Sequence, residues 1–194
     1  MDRKLPIYTL VLNEDGEDSG VDYVALVDQP AIERNWFAFK EDKKFSFKAD
    51  EERKIITGAL MIADLPIYRR DAELGEYYVV FDKAQIETMV QKFMKKGFQN
   101  NVNEMHDASK KVEGVSMFES FIVDSDRGIA APRGFEGVPE GSWFGSYKVD
   151  NEDIWNKVKS GEFMGFSVEG MFKPVPMEKT LESEIIDIIK EIQE

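Results

Sequence analysis

Apolar and polar positions alternate in a series of short runs along this chain, and most of the runs stop at a turn residue. The first, Ile7-Tyr8-Thr9-Leu10-Val11-Leu12, predicts a strand, and beyond the acidic loop Asn13 to Gly20 the run Val21 to Val27 predicts a second. A turn at Pro30 leads to the aromatic patch Trp36-Phe37-Ala38-Phe39. Residues 40–54 (KEDKKFSFKADEERK) are so dense in charge that they predict a linker, dividing an amino-terminal strand or arm segment, 1–45, from a main domain, 54–173.

Within that domain, Lys54 to Leu65 predicts a strand bent at Gly58, and Arg69-Arg70-Asp71 leads through Gly75 into Tyr77-Tyr78-Val79-Val80-Phe81 as a hairpin. Then the period changes. Ile86, Met89, Val90, Phe93 and Met94 fall on one helical face, with Asp82 as N-cap, Lys95 and Lys96 in the last turn and Gly97 as the stop. Residues 99–107 are polar for a strand, Val112 to Val123 predicts a strand, and residues 124–142 hold too many glycines and prolines for anything but a long loop. Trp143 to Val149 predicts a strand, and Asp150 caps a short helix that ends at Gly161. Around Ser167 the residues Phe166, Val168 and Phe172 alternate with Ser167, Glu169 and Met171, so that Ser167 and Glu169 share one strand face. The segment Lys173-Pro174-Val175-Pro176 breaks the sheet. In the tail, 174–194, Ile185, Ile186, Ile188, Ile189 and Ile192 predict an amphipathic helix whose broad stripe either docks on its own domain or meets a partner.

Composition narrows the chemistry. The 194 residues, 42% hydrophobic with 14 Phe, suffice for a real core. The absence of cysteine removes thiol catalysis and thiolate metal sites, and a single histidine removes every zinc site that needs two. Asn13 to Gly20 lacks the spacing of a calcium loop, so no metal and no cofactor is expected. A net charge of −13 spread along the sequence repels nucleic acid, and no run approaches the roughly 18 apolar residues of a membrane span. A soluble protein that binds neither nucleic acid nor membrane is expected.

Ser167 and His106 are the residues with catalytic chemistry. A serine hydroxyl is a weak nucleophile until a base takes its proton, and histidine is the usual base. A neutral imidazole must then hold its own proton on the nitrogen facing away from serine, which requires a third, hydrogen-bond-accepting group. Asp107, Glu104, Glu169 and Glu119 are all candidates. Gly165-x-Ser167 begins like a nucleophile elbow, but Glu169 stands where that motif has glycine, which argues against an α/β-hydrolase. Arg127 and Arg133, in the long loop, are candidates to assist an oxyanion.

The runs Ile67-Tyr68-Arg69-Arg70-Asp71, Gln99-Asn100-Asn101-Val102-Asn103-Glu104-Met105-His106-Asp107, Ser146-Tyr147-Lys148-Val149-Asp150 and Lys159 to Gly170, with Val27-Asp28-Gln29-Pro30-Ala31-Ile32 near the start, resemble the XkdF-like phage serine proteases. These belong with the prohead maturation proteases of tailed phages and are similar in fold to herpesvirus assemblin. The resemblance implies an α+β, mainly β fold: an antiparallel β-barrel of the assemblin and prohead-protease type, flanked by helices. The nucleophile and the base would both stand on barrel strands. By motif, Ser167 matches the nucleophile, His106 the base, and Asp107 the acid of a His-Asp pair. The larger family often has Ser-Val-Gly where this chain has Ser167-Val168-Glu169-Gly170. Assemblins use a second histidine as third member, so here a carboxylate would have to substitute. The implied activity is hydrolysis of scaffold and capsid precursor proteins, and of the chain itself, during capsid maturation. That places the protein in the host bacterial cytoplasm, inside the assembling prohead, as a homodimer or higher assembly. The contrasting expectation is a non-catalytic assembly or scaffold factor that keeps the protease barrel.

Overall fold

Two helices and twelve strands make up the regular structure of residues 5–13, 19–28 and 46–177, the residues that the computed structural model describes. The aromatic patch at Trp36 to Phe39 and the carboxy-terminal isoleucine helix lie outside the described residues. The order is β1 (Ile7–Val11), β2 (Gly20–Val27), β3 (Lys48–Asp50), β4 (Ile55–Met61), β5 (Ile67–Asp71), β6 (Gly75–Val80), α1 (Lys83–Lys95), a 3₁₀ turn (Phe98–Asn100), β7 (Val102–Glu104), β8 (Asp107–Lys111), β9 (Val115–Ile122), β10 (Trp143–Val149), α2 (Glu152–Ser160), β11 (Gly165–Met171) and β12 (Lys173–Pro176).

The strands form three four-stranded sheets, ordered β12-β1-β6-β5, β3-β4-β10-β9 and β11-β2-β7-β8. The class is α+β and mainly β, but among the described residues the sheets do not close into a barrel. Nor are they purely antiparallel, since β1 runs parallel to β6 and β2 parallel to β7. Side-chain packing joins the second and third sheets where a barrel would have a continuous ladder. The Phe47 N–H donates to the Met164 carbonyl at 2.9 Å, and Phe166 of β11 packs on Phe47 and Tyr147. Gly58 of β4 makes room there, because a Cβ at that position would stand 2.9 Å from that of Phe47. Among the described residues of segment 1–45, two strands are built into these sheets, β1 between β12 and β6 and β2 between β11 and β7.

The helices follow their sequence signals closely. The Asp82 carboxylate accepts from the Gln85 N–H at 2.8 Å, α1 buries Ile86, Met89, Val90 and Phe93, and Gly97 follows in the left-handed region. Burying one such large apolar side chain contributes roughly 1.5–3 kcal/mol. The cap of α2 is Asn151, one residue later than expected. Its Oδ1 accepts from the N–H groups of Asp153 and Ile154, while the Asp150 carboxylate pairs with Lys148 at 2.8 Å.

Two other expectations change. Lys173 to Pro176 is a strand, hydrogen-bonded to β1 at the edge of its sheet, where a proline without an N–H costs no ladder bond. The long loop 124–142 is pinned by Phe135, which is buried with Ala59, Ile62, Val123 and Phe144 in a small second core. Among the described residues, no helix is long and apolar enough to cross a membrane.

Candidate active site

The sheet β11-β2-β7-β8 has one face in the main core and one that carries chemistry. Val24, Leu26, Val102 and Phe166 belong to the core, and Val168 packs against it. Alternation along each strand therefore sends Ala25, Asn103, Ser167 and Glu169 to the opposite face. Register lines them up: Ser167 pairs with Ala25, and Ala25 pairs with Asn103. The three form a row across the sheet, with only a methyl group in the middle. Ser167 is 5% exposed and Asn103 1%.

Glu169 lies two residues beyond Ser167, on the same face, next to a register shift between Glu169 and Gly170. That irregularity depends on glycine, since a Cβ at position 170 would stand 1.8 Å from the Gly20 carbonyl oxygen. The side chain of Glu169 is 27% exposed and leans toward the β7–β8 hairpin.

His106 comes from the turn of that hairpin, and not from a strand as expected. Glu104 pairs with Asp107, leaving Met105 and His106 as a two-residue loop with φ of 52° and 62°. Two successive left-handed residues make a type I′ turn, the form that fits the twist of a tight hairpin. Neither residue is glycine or asparagine, so the turn carries strain, which other contacts hold in place. The Met105 N–H donates to the Leu26 carbonyl at 3.0 Å, and the Glu104 carboxylate meets Lys157 of α2 at 2.6 Å. The hydrogen bond from Lys157 to Glu104 raises the Lys157 pKa above the ordinary lysine value.

The turn brings the imidazole to the strand of the serine. His106 Nδ1 lies 3.2 Å from Glu169 Oε1, and the same oxygen accepts from Asn103 Nδ2 at 2.6 Å. The other two candidate carboxylates near the histidine are engaged elsewhere. Asp107 accepts from the Ser109 hydroxyl at 2.6 Å and from the Ser109 N–H at 3.0 Å, contacts that with Lys110 hold its pKa below the usual carboxylate value. Glu104 belongs to Lys157. Glu119 sits on β9, in a different sheet. Arg127 pairs with Asp124 at 3.8 Å within its own loop, and Arg133 is exposed.

A carboxylate on Nδ1 sets the tautomer. A proton on Nδ1 would face Glu169, and the Nε2 lone pair would then be free to accept a proton, which is the form a general base needs. The residues that sequence reasoning passed over are Asn103 and Lys157. Asn103 had one visible signal, a polar residue next to the core residue Val102 in a short strand.

The protein family described as "Putative phage serine protease XkdF" matches residues 42–175, a stretch that contains Asn103, His106, Asp107, Ser167 and Glu169. The chain is also 26% identical over 185 residues to "Uncharacterized protein YqbD" of Bacillus subtilis (strain 168), covering 88% of this chain and 52% of that protein. It thus spans about half the length of the curated relative it matches. No solved structure matches. With most of its length matched, and with the serine strand and the histidine turn inside the match, the chain belongs to the family of phage serine protease XkdF.

Proposed function

We propose that the chain is a serine endopeptidase in which Ser167 is the nucleophile, His106 the general base and Glu169 the group that orients and stabilises the imidazole. The observation that carries this reading is the 3.2 Å contact of His106 Nδ1 with Glu169, two residues from Ser167 on the same strand face. His106 Nε2 takes the Ser167 proton as Oγ attacks the scissile carbonyl, and the tetrahedral adduct collapses to an acyl-enzyme as the imidazolium protonates the departing amine. Water, deprotonated in turn by His106, then releases the acyl group. Asp107, assigned to the histidine by motif, has its carboxylate turned to Ser109 and acts on the turn instead. Family membership supports a phage setting, and the substrates we assign are scaffold and capsid precursor proteins and the chain itself, cleaved inside the assembling prohead of the host cytoplasm. The kinship to the assemblin-type barrel and a dimeric or higher assembly belong to the same proposal.

The test is cleavage of a capsid or scaffold precursor together with labelling by a fluorophosphonate probe. Ser167→Ala and His106→Ala are expected to abolish both while remaining folded. Glu169→Gln is expected to slow both by roughly 10²- to 10⁴-fold, the range for loss of general-base help, whereas Asp107→Asn stays close to wild type. Full cleavage by Ser167→Ala would overturn the proposal in favour of a non-catalytic assembly factor.

A further inference from the structure

We infer that Asn103 is a positioning residue, whose amide holds the Glu169 carboxylate in place for His106. The observations are independent of one another. Asn103 is 1% exposed, yet it is polar and stands on the face of the sheet turned away from the main core. Its Nδ2 donates to Glu169 Oε1 at 2.6 Å, a short, charge-assisted bond, and that oxygen is the one facing His106 Nδ1. Its own Oδ1 is buried and has no partner among the described residues.

The orphan oxygen shows which interaction decides the orientation of the amide. A carboxylate only accepts hydrogen bonds, so the side chain must present its NH₂ to Glu169. Doing so turns Oδ1 into a site where nothing donates to it, which costs free energy. An asparagine that served only to fill space would have no reason to carry that cost, and a leucine of similar volume would avoid it. The retained amide therefore has its use at Glu169.

Topology adds the rest. Asn103 and His106 are three residues apart, in the middle of β7 and in the turn that follows it. One hairpin thus brings an amide donor from the strand and an imidazole nitrogen from the turn to one carboxylate oxygen. Glu169 sits next to an irregular step in β11 and is partly exposed, so without the amide its side chain has rotamers that swing toward water. Held by Asn103, it stays where the Nδ1 proton needs an acceptor. The catalytic meaning of this clamp rests on the reading of His106 as the base, but the clamp itself can be observed without any activity.

His106 is the chain's only histidine, so its two ring nitrogens give unambiguous ¹⁵N signals in the intact protein. In the wild type at a pH where the ring is neutral, the Nδ1–H tautomer is expected to predominate. Asn103→Leu removes the donor at similar volume, and Asn103→Val removes it with a smaller side chain suited to a strand, which guards against a packing failure in the first. Both are expected to lose that predominance, and to lower the rate of Ser167 labelling by about 10- to 100-fold, by analogy with the loss of the outer partners that orient metal-bound histidines. A wild-type tautomer balance in either folded variant overturns the role of Asn103. If the wild type is not labelled at Ser167 at all, the protease reading fails, while the tautomer measurement still decides for or against the clamp.

Discussion

Tyr147 offers a second buried orphan with which Asn103 can be compared. On β10 it is fully buried against Phe166, and its hydroxyl has no hydrogen-bond partner among the described residues. Unlike the Asn103 amide, it makes no compensating bond. An unsatisfied buried hydroxyl costs about 1–3 kcal/mol. Tyr147→Phe is therefore expected to raise the stability measured by urea unfolding by about 1 kcal/mol, since the ring and its packing remain. Burial alone pushes the phenol's pKa well above its ordinary value. A raised folded pKa means that the unfolded chain ionises first, so the contribution present below pH ~10 is lost as pH rises beyond it. The variant should lack that alkaline loss. A clear fall in stability would show that the hydroxyl has a partner and would end this account. The same logic separates the two residues: one orphan is unused and removable, while the other is the far end of the bond by which Asn103 is proposed to hold Glu169.

The β7–β8 hairpin is the element on which the site depends, and it is tied to α2 by the Lys157–Glu104 pair. Lys157 also lies 5.2 Å from the centroid of the Phe163 ring, at the entry to β11. Lys157→Met keeps most of the apolar stem and removes the charge. It is expected to cost roughly 0.5–1 kcal/mol, in the range for partly exposed pairs, with the loss read by urea unfolding at pH 7. Because the folded pKa of Lys157 is raised, the pair contributes fully below the unfolded lysine value of ~10.4 and fades as pH climbs through the folded one. Wild type and variant should therefore converge in strongly alkaline solution, and an unchanged gap there would assign the effect to packing. This hairpin was also the least legible element. Glycine at 97 and 161 announced the ends of both helices, and Asp82 announced a start. Met105-His106 has none of the usual turn residues, so nothing in the polar run 99–107 announced a hairpin there. Glu169 was legible as a neighbour of Ser167 by alternation alone. Its contact with His106 was not, because a left-handed turn at His106 was needed to make it. Pro174 and Pro176 argued against β12, and only the position of that strand at a sheet edge removes the objection.

At the scale of the molecule, sequence patterning conveyed class but not topology. Alternation identifies strands one by one, whereas the parallel pairs β1–β6 and β2–β7 join segments more than 60 residues apart in sequence and leave no local trace. Charge is the other global property. With 38 acidic and 25 basic residues the chain carries −13, and the folded state concentrates that charge. Opposing this are surface pairs such as Arg53–Asp50, Lys148–Asp150 and Lys54–Glu152. Each exposed pair contributes little and is screened by salt as readily as the repulsion is. The long-range excess of like charge should dominate, so the thermal midpoint is expected to rise as NaCl is increased from low concentration to about 0.1 M, where the Debye length falls to about 10 Å. Mild acidification should act in the same direction until the carboxylates with lowered pKa titrate. Asp71, held down by the Leu74 N–H and the Tyr77 hydroxyl, and Asp50, held down by Arg53, have folded pKa values below their unfolded ones. Their contribution is present above the unfolded value of ~3.9 and is lost as pH falls through the folded one. Stability should thus pass through a maximum on the acid side of neutrality and collapse below about pH 4. A midpoint that falls with added salt at pH 7 would mean that the ion pairs outweigh the net charge, and would reverse the electrostatic account.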